Sequence, residues 1–337
     1  MIEVKHLTKN YGHHTAVNDL SFSVEKGQIY GFLGPNGAGK TTTMSIMTGC
    51  QAATSGQVTI GGYDIFEEAQ EAKKLIGYLP EQPPLYLDRT PKEYLTFVGR
   101  AKGVPATELN RQIDDIMRIT QVDSMKDRLI RNLSKGYRQR VGIAQALIGN
   151  PEVIILDEPT VGLDPRQIIE IRELIGKLGK EHTVILSSHI LSEVQAICQT
   201  ILIISGGKLV ACDTPENLES LFAGTATVTV TADVTRSEIQ KIVQTASPGI
   251  VMETLPGADN HATAKIKANN PEELCRSLFF AFAEQGKAIT QLATSKASLE
   301  DVFIGLTSPD PAEMVTPDAE PSAEAADDMA EKEGASA

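Results

Sequence analysis

One eight-residue stretch, Gly34-Pro35-Asn36-Gly37-Ala38-Gly39-Lys40-Thr41, constrains this chain more than any other. It matches the spacing G-x-x-x-x-G-K-[ST] in full. The buried-type run Gln28–Leu33 precedes it and a helix-favouring run, Thr41–Met47, follows. Such a loop works only between a strand and a helix. Its glycines let backbone N–H groups curl around phosphate oxygens, and the helix brings its positive end to them. Lys40 reaches the outer phosphates, and the Thr41 hydroxyl suits a Mg²⁺ ion. Gly34–Thr42, with Pro35, Asn36, Gly37, Ala38 and Gly39 supplying backbone, is therefore expected to hold the phosphates of a nucleotide.

The rest of the chain supplies the sheet such a loop needs. Short strands are expected at Ile2–Val4, Leu20–Val24, Gln57–Ile60 and Ile76–Leu79. Residues 85–130 change character. Thr90-Pro91-Lys92-Glu93 reads as a capped helix start, and Leu109, Ile113, Ile116 and Met117 form one apolar face over Glu108–Thr120. A helix from Ser134 to Gly149 follows. Then come strand Val153–Leu156, helix Arg166–Lys177, strand Thr183–Ser187, helix Leu191–Cys198 and strand Thr200–Ile204. Alternating strands and helices predict an α/β fold around a parallel sheet. Val153–Leu156 ends in Asp157 and Glu158, and ligands of parallel sheets bind at strand carboxyl ends. Asp157 suits a Mg²⁺-holding role, and Glu158 is placed to polarise an attacking water in phosphoryl transfer.

Beyond Phe222–Thr225 the order becomes strand Ala226–Val230, helix Arg236–Thr245, strands Ile250–Leu255 and Ala262–Ala268, helix Pro271–Gln285 and strand Ala288–Ala293, with a short helix at Leu299–Leu306. This β-α-β-β-α-β succession predicts a small ferredoxin-like α+β domain. The expected organisation is a nucleotide-binding domain over 1–222 with a helical subdomain at about 85–150, an accessory domain over 223–308, and an acidic tail over 309–337. The tail holds nine acids and one base, so it carries −8 of the net charge of −13. It has almost nothing to bury and is expected to be disordered. The remaining part is mildly acidic, Trp is absent and aromatics are only 5%, which speaks against nucleic acid as a partner. Cys50, Cys198, Cys212 and Cys275 form no ligand-like cluster, so a reduced setting is expected. The N-terminus lacks the pattern of a signal peptide, and no apolar run approaches the ~18–20 residues that span a bilayer.

Between the phosphate loop and the acidic strand end lies Leu133-Ser134-Lys135-Gly136-Tyr137-Arg138-Gln139-Arg140. In this order and place it resembles the signature of the ABC (ATP-binding cassette) ATPases, over roughly residues 1–220. The resemblance implies ATP with Mg²⁺ as the bound species. It also implies that Ser134 and Gly136 contact the nucleotide of a second cassette, a homodimer being expected. Lys135 and Tyr137 stand where the family's commonest form has Gly and Gln. Lys135 adds charge near the opposing phosphate if it points inward, and none if it points to solvent. Tyr11, in Lys9-Asn10-Tyr11-Gly12, is similar to the aromatic that stacks on adenine. Asp164, in Gly162-Leu163-Asp164-Pro165, falls in a loop that crosses to the partner subunit. His189, after Ser187-Ser188, matches a histidine that touches the γ-phosphate. The family's nucleotide- and metal-contacting glutamine follows a strand end like Gly77-Tyr78-Leu79-Pro80. Here Glu81 and then Gln82 stand in that place, and Gln82 is favoured because a carboxylate repels the γ-phosphate more than an amide does.

The resemblance thus implies catalytic roles for Glu158, His189 and Lys40 in an ATPase that works with separate transmembrane permease subunits at the cytoplasmic face of the cell membrane. The ending Ser298-Leu299-Glu300-Asp301-Val302-Phe303, with the variant signature, is similar to single-cassette subunits of bacterial exporter-type systems near antibiotic-resistance and gliding-motility transporters. Other readings are an importer ATPase, a soluble ABC protein acting on ribosomes or nucleic acid, and a simple P-loop kinase. The soluble relatives carry paired cassettes or a long coiled coil, which this chain lacks, and the signature and the Asp164 loop count against a kinase.

Overall fold

Four residues, Val153–Leu156, show how the molecule is layered. In the computed structural model, which describes residues 1–220, 226–255, 261–268, 270–296 and 299–307, all four are buried. Val153 and Ile155 point into one hydrophobic core, and Ile154 and Leu156 into another. A strand covered on both faces cannot alternate apolar with polar, which is why these strands read as continuous apolar runs.

The amino-terminal part comprises β1 (Ile2–Tyr11), β2 (His14–Val24), β3 (Ile29–Leu33), α1 (Lys40–Met47), β4 (Ser55–Ile60), β5 (Tyr63–Asp64), α2 (Ala69–Lys74) and β6 (Ile76–Leu79). The helices α3 (Pro91–Ala101), α4 (Ala106–Ile119) and α5 (Lys135–Leu147) follow. After them come β7 (Val153–Leu156), α6 (Pro165–Leu178), β8 (Thr183–Ser188), α7 (Leu191–Ile197), β9 (Thr200–Ser205), β10 (Lys208–Asp213) and α8 (Pro215–Ser220).

The central sheet has the order β10-β9-β3-β8-β7-β6 and is parallel except for its edge strand β10. Leu33 pairs with Ser188, and Leu156 with both Leu186 and Leu79. The carboxyl ends of β3, β8, β7 and β6 therefore lie side by side, and the loops that leave them open onto one place. A second, antiparallel sheet, β2-β1-β4-β5, shares a core with one face of the central sheet. The helices α3–α7 contribute to the core on the other face.

Several elements differ from the sequence reading. The expected strands at Ile2–Val4 and Leu20–Val24 are longer, because antiparallel pairing continues through polar residues across register shifts. The antiparallel sheet they build adds to the parallel one. β10, which the sequence reading did not include, is a largely exposed edge strand despite its apolar run Leu209–Cys212, and joins β9 through Gly206 and Gly207, both at positive φ. By contrast, α3 carries the capping box of Thr90 and Glu93, and α4 buries Leu109, Ile113, Ile116 and Met117 as its periodicity requires.

The C-terminal elements are β11 (Ala226–Ala232), α9 (Arg236–Ala246), β12 (Met252–Leu255), β13 (Ala262–Ala268), α10 (Pro271–Glu284), β14 (Ile289–Lys296) and α11 (Leu299–Thr307). Their sheet, β12-β13-β11-β14, is antiparallel throughout, the ferredoxin-like order. It has its own core, which includes Val228, Ile239, Ile266, Leu278 and Phe282. α11 leaves that core. Leu299 is buried in the helical-side core of the central sheet, with Phe303 and Leu306 packed against it. The expected boundary at Phe222–Thr225, Ser298 and the tail 309–337 lie outside the described residues.

Candidate nucleotide site

The glycine-rich loop passes from β3 into α1, and its shape depends on Gly39. This residue caps the helix at φ 102°, and a β-carbon there would lie 2.5 Å from the Ala16 carbonyl oxygen. No side chain caps α1, so the first N–H groups of the helix face the loop. Lys40 is 6% exposed and folds back over the loop. Its Nζ donates to the Gly34 carbonyl at 2.8 Å and to that of Pro35 at 3.2 Å, and lies 3.9 Å from Glu158 Oε1. Burial lowers the Lys40 pKa, while the charges of Glu158, Asp157 and Glu81 oppose that shift. The lysine is thus a buried cation held beside carboxylates, at the point where phosphates would arrive.

The acidic end of β7 is as constrained. Asp157 is fully buried, and its Oδ1 accepts from Ser187 Oγ at 2.6 Å and from Thr41 Oγ1 at 3.3 Å. Its Oδ2 is buried with no hydrogen-bond partner. Glu158 adopts φ 48°, a left-handed conformation that costs a non-glycine residue about 1–3 kcal/mol. Its N–H donates to Ser187 Oγ at 2.8 Å, and its Oε2 lies 2.9 Å from His189 Nδ1. Glu158 therefore stands between a lysine and a histidine with its backbone turned out of the strand.

Lys40, Thr41, Glu158 and His189 border a cavity of about 470 Å³, and Asp157 and Ser187 lie behind that lining. Of the expected residues, Tyr11, Asn36, Gly37, Ala38, Gly39, Lys40, Thr41, Thr42, Glu158 and His189 line it. Gly34 and Pro35 act through the carbonyls that hold Lys40. Glu81 lines the cavity, and Gln82, favoured from the sequence, does not. The Glu81 charge also acts on Lys40, opposing the lowering of the lysine pKa by burial. Tyr11 is 47% exposed at the rim, with Gln51 Nε2 donating to its hydroxyl and Lys9 Nζ 5.2 Å from its ring centre. His14, its cross-strand partner, also lines the cavity, and only the pairing register could have pointed to it. Ser187, which binds both Asp157 and Glu158, was visible in sequence only as a neighbour of His189. A larger cleft of about 720 Å³ beside α4 and α6 contains none of these groups, so size does not mark the site.

Ser134, Gly136 and Asp164 lie outside the cavity. Ser134 caps α5, accepting from the Tyr137 N–H, and Asp164 caps α6, accepting from the Gln167 N–H at 2.9 Å. Gly136 packs on α6, where a β-carbon would meet the Gln167 side chain at 2.8 Å. Lys135 lies over the Asp164 loop, its Nζ 2.1 Å from where a Gly162 β-carbon would be. The start of α5 and that loop thus form one patch beside the site. Behind it, Arg140 binds Glu170 at 2.7 Å and the Thr120 carbonyl at 3.2 Å, tying the helical region to α6.

The ABC transporter family profile matches residues 17–161. The linearmycin resistance ATP-binding protein LnrL of Bacillus subtilis (strain 168) is 31% identical over 308 residues, covering 91% of this chain and 98% of LnrL. The bacitracin transport ATP-binding protein BcrA of Bacillus licheniformis is 42% identical over 211 residues, covering 62% and 68%. Among solved structures, an ATP-binding subunit of an ABC transporter superposes with a TM-score of 0.60 at 30% identity, covering 66% of this chain and 93% of that one. A dimeric bacterial ABC transporter cassette, MJ0796, superposes with a TM-score of 0.58 at 25% identity, covering 64% and 98%. The chain belongs to the ABC transporter family as an ATP-binding subunit. Within that family it is an ATPase.

Proposed function

We propose that this chain hydrolyses ATP for an exporter, as one of two identical cassettes joined head to tail beneath separate permease subunits. The observation that carries the reading is the position of Glu158, between Lys40 and His189 at the edge of the phosphate-loop cavity. A carboxylate there can orient a water in line with the outer phosphate, while Lys40 and the loop N–H groups offset the charge that develops on it. His189 fixes the carboxylate from the other side. Tyr11 offers a ring for the base, and Glu81 stands where incoming phosphate meets Lys40.

Mg²⁺ fits the donor set. Asp157 Oδ2 is a buried oxygen without a partner, and its Oδ1 touches the Thr41 hydroxyl. Thr41 and Asp157 are the residues to hold the ion, which when bound neutralises phosphate charge. Asp157→Asn is expected to raise the Mg²⁺ concentration needed for half-maximal turnover at least about tenfold. An unchanged requirement would remove Asp157 from that role.

Ser134 and Gly136 do not line their own chain's cavity, which supports a role toward the nucleotide of a second copy. Closure of the pair would follow from contacts to ATP that exist only in the closed state. The export direction is supported by relatives whose names specify linearmycin resistance and Nod factor export. A groove beside the central sheet, lined by Tyr78, Pro84, Tyr86, Tyr94 and Phe97, offers an aromatic seat for a permease segment. Among the described residues no helix is long and apolar enough to cross a membrane. Attachment to the cytoplasmic face of the cell membrane would then come from that partner.

The test is the oligomeric state of Glu158→Gln by analytical ultracentrifugation. ATP should convert it from monomer to dimer, and Gly136→Asp added to it should prevent that. An ATP-dependent dimer that tolerates Gly136→Asp would contradict the shared site. Co-purification with a neighbouring-gene membrane protein that lacks a cassette, lost with Tyr86→Ala and Phe97→Ala together, tests the seat.

A further inference from the structure

A buried carboxylate remains that the reading above does not use. Glu193 stands in the first turn of α7 and is only 5% exposed. One of its oxygens, Oε2, accepts from Thr160 Oγ1 at 2.6 Å and from Ser188 Oγ at 3.1 Å. Ser188 Oγ also accepts from the Ile190 N–H at 3.0 Å, closing the turn around His189. Burying a carboxylate against neutral hydroxyls is costly compared with leaving it in water, so its place calls for an explanation.

The sequence positions of its partners supply one. Thr160 is in the loop that continues from Glu158, and Ser188 immediately precedes His189. A single oxygen therefore joins the loops that carry the two side chains meeting at 2.9 Å. Those loops leave different strands, β7 and β8, and Ser187 fixes only their beginnings, through Asp157 and the Glu158 N–H.

We propose that Glu193 is a positioning residue for hydrolysis, clamping the Thr160 and Ser188 loops so that His189 and Glu158 keep their mutual geometry. The proposal rests on the reading of Glu158 and His189 as the hydrolytic pair. The clamp touches neither the phosphate loop nor Tyr11, so it should govern turnover and not nucleotide affinity.

The experiment measures kcat and KM for ATP hydrolysis and the Kd for ATP on the full chain. Glu193→Ala should lower kcat about 10- to 100-fold, the scale of a misplaced reacting group, with KM and Kd within about twofold. Glu193→Gln, whose amide oxygen can accept both hydroxyl hydrogens, should stay within about threefold of the unmodified chain. Thr160→Val should lower kcat too, and combining it with Glu193→Ala should add little, because both open one clamp. Wild-type kcat in Glu193→Ala, equal losses in the Ala and Gln variants, or additive losses in the double variant would overturn the proposal. If Glu193→Ala does not fold, the near-isosteric Thr160→Val carries the test alone, and full kcat there overturns it. Glu158→Gln in the same assay separates the two claims. Full turnover in that variant would overturn the reading of Glu158 itself, whereas its loss beside full turnover in Glu193→Ala overturns only the clamp.

Discussion

The central parallel sheet and the C-terminal antiparallel sheet are both backed by helices, but they place charge differently. At the end of the central sheet, Lys40, Asp157, Glu158 and Glu193 are all buried, one carboxylate oxygen lacks a partner, and Glu158 has a left-handed backbone. The C-terminal core is lined by Val228, Val230, Ile266, Leu278 and Phe282, and among the described residues no carboxylate is buried there. Glu238 is typical. The Thr235 N–H and Lys287 hold its carboxyl down to about 2, and both contacts secure a helix start. Buried charge and backbone strain persist in a fold only where the surroundings enforce them, and they cluster at sites that act on ligands. Among the described residues, the end of the central sheet is where buried carboxylates, a buried lysine and a left-handed backbone meet at one cavity, and the C-terminal sheet shows no such cluster.

Four variants sharpen or break the contrast. Lys40→Met should weaken ATP binding about 1000-fold, or about 4 kcal/mol, by removing a buried cation from the phosphate site. Equilibrium binding of a fluorescent ATP analogue checks it, and near-normal affinity would break the contrast at its strongest point. Leu278→Ala should cost about 3 kcal/mol of stability by opening a cavity in the C-terminal core, with turnover per folded molecule unchanged. Denaturant unfolding and steady-state assays below the transition read the two effects separately. Thr235→Ala, which removes the cap of α9, should cost about 1 kcal/mol. Glu238 adds a pH signature. Its folded pKa lies below the ordinary glutamate value of 4.5, so its contribution is present above about 4.5 and is lost as pH falls toward about 2. Glu238→Gln should flatten acid destabilisation over that window, and an unchanged acid limb would remove the interaction from the account.

Much of the end of the central sheet was legible because its chemistry is local. The glycine spacing, the Val153–Leu156 run and the two acids after it dictate loop shape, burial and charge from neighbours in the chain. The apolar face of α4 and the succession β11 to β14 were legible for the same reason, as periodicity reports which residues face inward. It does not report what they face. The return of α11 to the helical-side core, the bridge Ser187 makes between Asp157 and Glu158, and the clamp at Glu193 all join distant segments. Which of Glu81 and Gln82 lines the cavity depends on the path of the chain after β6, which the sequence does not report. β10 is an edge strand whose place depends on antiparallel pairing with β9, which its short run Leu209–Cys212 does not report.

The central claim is that Glu158, held between Lys40 and His189, drives hydrolysis at a nucleotide site built by the phosphate loop. Turnover and ATP affinity measured together on Glu158→Gln test it most directly. The account predicts a fall in kcat of at least about 100-fold with ATP still bound within about threefold of normal affinity. Steady-state hydrolysis at the unmodified rate would contradict it.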